Sequence, residues 1–142
     1  MRIRKLTIDY YNEILSLWDR SALPYKPRGR DSESAIEFQM KRNPSFFLGA
    51  YDGNRLVGTV FASFDLRRGW INRLAVDPKY RRRGVAQKLI AAAEKALRKK
   101  GAKIISAHVE DHNAASLKLF TKCGYVKHRD VVYFSKRDSD EV

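Results

Sequence analysis

The chain has 142 residues, 44% of them apolar and 11% aromatic, which is enough for one packed core and too little for two. Lys and Arg number 29 against 16 Asp and Glu, a net charge of +13 that points to polyanions such as nucleic acid, anionic lipid or a phosphorylated cofactor. No run approaches the ~18 apolar residues of a membrane span, no signal-peptide core follows Met1-Arg2-Ile3-Arg4-Lys5, and the lone Cys123 excludes a disulfide framework and a cysteine zinc cage, so a cytoplasmic protein is expected.

In chain order, Ile3 to Lys5 predicts a short strand, followed by a helix capped by Thr7 or Asp9 whose apolar positions Tyr10, Ile14, Leu17 and Trp18 follow a 3.6 period. Leu23 to Arg30, with two prolines and a glycine, reads as a loop. A second helix is expected from a cap at Ser34, with Ile36, Phe38 and Met40 as its apolar positions and Asn43-Pro44 as its stop. Phe46 to Tyr51, Leu56 to Phe64 and Trp70 to Val76 predict three antiparallel strands, the first two joined at Asp52-Gly53-Asn54. From Gly84 to Gly101 the stripe Val85, Ala86, Leu89, Ile90, Ala93, Ala96 and Leu97 predicts a long amphipathic helix. Ile104 to Val109 predicts a strand, Ala114 to Cys123 a helix capped by Asn113, and Tyr125 to Phe134 a final strand pair. Residues 1–137 form one mixed α/β domain in this reading, and 138–142 an acidic tail.

The most informative stretch is Leu74-Ala75-Val76-Asp77-Pro78-Lys79-Tyr80-Arg81-Arg82-Arg83-Gly84-Val85-Ala86. A strand halts at proline, a basic turn follows, and a glycine opens a helix whose first N–H groups have no carbonyl partner within the helix. With the helix dipole and three arginines behind it, such a terminus suits an anion. The same residues also fit a solvated basic turn in which Gly84 only starts the helix.

This strand, R-x-x-G-x-A turn and helix resemble the acyl-CoA-binding motif of the GNAT family of N-acetyltransferases. Asn113-Ala114-Ala115-Ser116-Leu117-Lys118-Leu119-Phe120-Thr121-Lys122-Cys123-Gly124-Tyr125 is similar to that family's other signature, an asparagine opening a helix that ends in glycine and an aromatic residue. The resemblance covers essentially the whole chain. It implies a mostly antiparallel mixed sheet of six to seven strands flanked by four helices and splayed between the fourth and fifth strands. It further implies that backbone groups of Leu74, Ala75 and Val76 hold the pantetheine arm of acetyl-CoA. Arg81, Arg82, Arg83, Gly84, Val85 and Ala86 would bind its pyrophosphate, Asn113 would reach the pantetheine from the other side, and Phe120 would pack beside the thioester. A backbone N–H of the fourth strand is implied as the oxyanion donor.

Transfer of an acetyl group to an amine requires the neutral amine. At pH 7 this costs about 1.4 kcal/mol for an α-amine of pKa ~8 and about 4.6 kcal/mol for a lysine of pKa ~10.4. His108 and Glu110 share a face at the end of the strand before Asn113 and are the candidate bases, an imidazole being suited to accept a proton near neutrality and a carboxylate to act through water. Both residues also fit plain structural or solvated roles. In the family a tyrosine seven residues after the asparagine often protonates the thiolate; Phe120 holds that position and has no proton to give. Cys123, on the apolar side of its helix, reads as a core residue rather than a nucleophile. His108, Glu110 and His112 lack a further ligand for a metal site.

Acetyl-CoA-dependent N-acetylation of a primary amine by direct transfer is therefore expected, by a monomer or homodimer, with an acceptor that is a small molecule, a peptide or a protein amine. The loops Leu23 to Arg30 and Lys127 to Val131 are expected to meet that acceptor, and their cations favour carboxylates. Two rival readings are a basic nucleic-acid-binding protein, which lacks any binding signature and scatters its cations over several elements, and an acyl-CoA binder of the same fold without catalysis.

Overall fold

The computed structural model describes residues 1–142. Five strands form one sheet in chain order: β1 (Arg2–Lys5), β2 (Phe47–Asp52), β3 (Arg55–Phe64), β4 (Gly69–Val76) and β5 (Ile105–Ala107). The first four pair antiparallel, and β4 and β5 run parallel through the crossover helix between them. The helices are α1 (Tyr11–Arg20), α2 (Glu33–Arg42), α3 (Val85–Lys99) and α4 (Ala114–Lys122).

Successive residues of β3 place α1 and α3 on opposite faces of the sheet. Thr59 is fully buried against α1, where its Oγ1 accepts from Trp18 Nε1 at 3.0 Å. Gly58 faces α3, and a Cβ there would lie 2.9 Å from Leu89 Cδ1 and 3.3 Å from Val85 Cγ1. The missing side chain lets α3 sit directly on the sheet. Val85, Leu89, Ile90, Ala93 and Leu97 are the buried stripe of α3, as its periodicity predicts. On the other face Trp18 meets Phe61 edge-on, with ring centroids 5.5 Å apart.

Three expectations are corrected. The cap of α2 is Ser32, whose Oγ accepts from Ala35 N at 3.2 Å, because Ser32 rather than Ser34 has the extended backbone an N-cap needs. Phe38 is 61% exposed: Ile36 and Met40, four apart, define the buried stripe, and Phe38 lies about 200° around the helix from Ile36. α1 follows a 3-10 turn (Ile8–Tyr10), which shifts its phase so that Tyr11 is buried with Ile14, Leu17 and Trp18.

The strand count is five rather than six to seven. Tyr125 to Phe134 forms no strands, and Val126, Val131, Val132, Tyr133 and Phe134 are exposed. A ladder needs a partner edge, and β5 offers only three residues of one. The tail crosses instead to the loop before α2, where Arg28 Nη1 lies 2.9 Å from Glu141 Oε1 and Arg30 Nη1 donates to the Val142 carbonyl at 2.6 Å. No helix is long and apolar enough to cross a membrane.

The hydroxyl of Thr59 also donates to the Arg73 carbonyl at 2.9 Å, so it links α1 to β4. Thr59→Val keeps the volume but leaves the indole N–H and this carbonyl unpaired. We expect a loss of about 2–4 kcal/mol in chemical denaturation; an unchanged midpoint would show that the link carries no stability.

Candidate active site

The site begins with a backbone irregularity. In the β3–β4 register Thr59 faces Ala75 while Phe61 faces Asn72, so β4 carries one residue more than β3 across this step. Arg73 takes up the excess with φ 52, a left-handed conformation that costs a non-glycine residue about 1–2 kcal/mol. Besides the Thr59 bond to its carbonyl, its guanidinium is held 3.1 Å from Asp31 Oδ2, bonds the Pro24 carbonyl, and lies 5.1 Å from the Trp18 ring centroid. Burial pulls the Arg73 pKa below its ordinary value, and the charge of Asp31 opposes that shift. Pairing of β4 with β5 stops at Ile71 and Ala107, immediately before the bulge. Beyond this point the backbone of residues 72–76 has no neighbour on the β5 side, and the sheet is splayed between the fourth and fifth strands.

Asp77 ends β4 and shapes the next turn. Its buried carboxylate accepts from Lys79 N at 2.9 Å and pairs with Arg20 at 3.1 Å and Arg55 at 3.4 Å. Burial pushes its pKa up, but the Lys79 N–H and the two guanidiniums prevail and hold it below 3.8. The turn then sets Arg82 at φ 63 and Gly84 at φ 76. Gly84 is the N-cap of α3 with no side-chain capping bond, and the first intrahelical bond runs from Lys88 N to the Gly84 carbonyl. The N–H groups of Val85, Ala86 and Gln87 therefore lack intrahelical acceptors. A Cβ on Gly84 would meet only Gln87 Oε1, at 3.8 Å, so the space in front of these donors is open.

A cleft of about 540 Å³ lies over this terminus, lined by Val76, Arg81, Arg82, Gly84, Val85 and Ala86 on one side and by Ala115, Lys118, Leu119 and Lys122 of α4 on the other. Across the splay is a second cavity of about 700 Å³, whose wall includes Leu74, His108, Glu110, Asn113, Ser116 and Phe120. α4 separates the two: Ala115 and Leu119 face the first, Ser116 and Phe120 the second.

The sequence profile of the Acetyltransferase (GNAT) family matches residues 11–125. The chain is 37% identical over 138 residues to an acetyltransferase of Photorhabdus laumondii, covering 96% of this chain and 95% of that protein. The chain belongs to the GNAT acetyltransferase family. An acetyltransferase of Sodalis glossinidius is 34% identical, over 96% of this chain and 95% of its own. The fold is shared with PaiA N-acetyltransferase of Thermoplasma acidophilum, solved in complex with coenzyme A (TM-score 0.74, 21% identity, 85% of this chain and 86% of that one).

Within this GNAT chain the two sequence signatures lie on facing walls of the splay. Val76, Arg81, Arg82, Gly84, Val85 and Ala86 line the smaller cleft together; Arg83 instead lies over the Tyr80 ring at 5.0 Å, and Ala75 is buried. Leu74, Asn113 and Phe120 lie on the larger cavity with His108 and Glu110. Asn113 Oδ1 caps α4 by accepting from Ser116 N at 3.1 Å. His108 lies just beyond β5, its ring 4.7 Å from that of Trp70 and 4.9 Å from that of Tyr133. Phe120 is edge-on to Tyr125, whose hydroxyl donates to Glu94 Oε2 at 2.6 Å and is directed away from proton transfer; burial and this bond push its pKa up. Tyr133 is thus the only phenol on the larger cavity. Burial and the charge of Glu94 raise the Cys123 thiol, consistent with a packing role. Lys127 to Val131 lie off the cavity wall; once the final strands fail to form, the residues that arrive there are Tyr133, Ser135, Lys136 and Arg137.

Sequence reading missed Asp31, Thr59, Trp18 and Arg73 as determinants of the site. The left-handed bulge leaves no mark in a single sequence, since no glycine occupies it.

Asp77 generates a pH prediction. Its carboxyl is depressed in the folded state, so its contribution to stability is complete above the ordinary value near 3.8 and is lost as pH falls through the lower folded value. Asp77→Asn should destabilise the protein by about 2–4 kcal/mol at pH 7 and flatten the fall in stability towards acid. Urea unfolding between pH 3 and pH 7 measures both, and parallel wild-type and variant curves would contradict it.

Proposed function

We propose that this acetyltransferase moves the acetyl group of acetyl-CoA directly to a primary amine while both are bound, with the amine entering through the larger cavity. The observation that carries this reading is the meeting of two unlike clefts at one break in the sheet. One cleft presents unpaired helix N–H groups with Arg81 and Arg82; the other presents His108, Glu110 and an apolar wall at Phe120. Bound acetyl-CoA supplies an activated thioester.

Residues 81–86 fit its pyrophosphate, since the free N–H groups of α3 and the dipole of its 15 residues favour negative charge, and Gly84 leaves the approach open. Leu74, Ala75 and Val76 offer backbone groups where β5 has left β4, so an extended pantetheine arm would add as a strand. Asn113 retains its side-chain N–H donors after its oxygen has capped α4, which lets it serve both purposes. The bulge backbone supplies donors for charge developing on the acyl oxygen. Glu110, exposed on the cavity wall, orders a water that takes the amine proton, and His108 is the alternative acceptor of that proton. Phe120 packs and does not donate. The thiolate leaves without an acid from that position, a tolerable step for a thiol of pKa ~8.5.

Acetyl-CoA should raise the melting temperature in proportion to the logarithm of its excess. Gly84→Asp, which adds a negative charge at the free N–H groups, should abolish that shift in differential scanning fluorimetry; an unchanged shift would reduce the turn to a helix start. For the base, the pH profile of kcat/KM should lose or displace its ascending limb in Glu110→Gln more than in His108→Ala. The measurement needs two amines of different basicity. A limb that follows the amine and survives in both variants would remove both residues from the role.

A further inference from the structure

The larger cavity is not electrically neutral, and most of its charge comes from a part of the chain that no signature covers. From Tyr133, whose ring lies tilted against that of His108 at 4.9 Å, the C-terminal segment runs to Glu141, held by Arg28 at 2.9 Å. Between these anchors Ser135, Lys136 and Arg137 form one wall of the cavity. The other ionisable side chains on the wall are Arg30, Asp31, Arg73, His108 and Glu110. Arg73 and Asp31 neutralise each other at 3.1 Å. Arg30 is taken up by the Val142 oxygen at 2.6 Å. None of the protein's ion pairs involves Lys136 or Arg137, so these two cations face Glu110 unneutralised.

We propose that Lys136 and Arg137 select an acceptor that carries a carboxylate besides its reacting amine, as an amino acid or an acidic peptide does. The inference rests on the acetyl-transfer reading for the meaning of this cavity. Two opposite charges on the wall give a zwitterionic acceptor a direction: its amine towards Glu110, its carboxylate towards the C-terminal segment. The same rim already engages a carboxylate, since Glu141 of the tail rests on Arg28, two residues from Arg30. Arg137 adds a planar fork suited to a carboxylate, and Lys136 a point charge.

The test is calorimetric binding at pH 7, with and without saturating CoA, so that it does not depend on turnover. The probes are alanine against alaninamide, and a short peptide with two aspartates against its asparagine counterpart; the two pairs distinguish a small acceptor from a peptide. In at least one pair the carboxylate form should bind about tenfold more tightly and lose that advantage in salt. The double variant Lys136→Gln/Arg137→Gln should remove the preference, whereas Lys95→Gln/Lys99→Gln, which removes equal charge from α3, should keep it. Equal binding within both pairs, a preference that survives the first double variant, or one lost equally in the second would overturn the proposal. So would tighter binding of phosphoethanolamine than of any carboxylate probe. Acetylated product from the same amines reports on acetyl transfer separately: a carboxylate preference in binding without product from any amine would sink that reading and leave this one standing.

Discussion

The hydrogen-bonded chain from Trp18 through Thr59 to the Arg73 carbonyl is the constraint on which the site depends. A bulge with a non-glycine residue at positive φ persists only when its surroundings outweigh its cost. Here the buried hydroxyl donates to the Arg73 carbonyl, so pairing that withdrew this carbonyl would break a hydrogen bond in the core. Arg73 adds a second tie by folding back onto Asp31, which also accepts from Lys26 N at 2.8 Å, while the Asp31 carbonyl accepts from the Tyr11 hydroxyl at 2.7 Å. One residue of β4 is thereby joined to α1, to the loop before α2 and to the neighbouring strand. The splay and the two clefts that meet at it follow from where that residue sits.

The second constraint is the junction at Asp77. A carboxylate buried where strand becomes turn is stable only with several donors, and Lys79 N, Arg20 and Arg55 supply them. These contacts fix the direction in which the chain leaves β4, and hence the position of Gly84 and the free N–H groups of α3 relative to the broken sheet. The net charge of +13 acquires a physical distribution in this frame: part lines the cleft over α3, part is consumed in structural pairs, and part faces the larger cavity. A single positive patch for a polyanion does not describe it.

α4 is the shared wall. Its helical period turns Ala115 and Leu119 to one cleft and Ser116 and Phe120 to the other, so a nine-residue helix contributes to the walls of both. The absence of a phenol at position 120 is compatible with this construction, because packing of the wall needs an aromatic ring while proton donation does not follow from it. Tyr133 reaches the cavity from a different part of the chain.

Local rules determined most elements from the sequence alone. The α3 stripe, the Asn113 cap, the β2–β3 turn and the strand–turn–helix around Gly84 depend on neighbours within a few residues, and each stands where its pattern places it. Where competing local signals existed, tertiary contacts chose: Ser32 over Ser34 as cap, the Ile36–Met40 face over Phe38, Tyr11 over Tyr10. The final strand pair did not form because alternating apolar residues specify a face, whereas a strand also requires an edge to bond to, and β5 ends after three residues. The turn at Gly84 was legible because a helix terminus with free N–H groups is written in contiguous residues. The bulge at Arg73 and its anchoring by Thr59 and Asp31 join residues 14 and 42 positions apart, and the arrival of Lys136 and Arg137 at the larger cavity brings in the other end of the chain. Such contacts are decided by how the whole chain packs, and no local pattern encodes them.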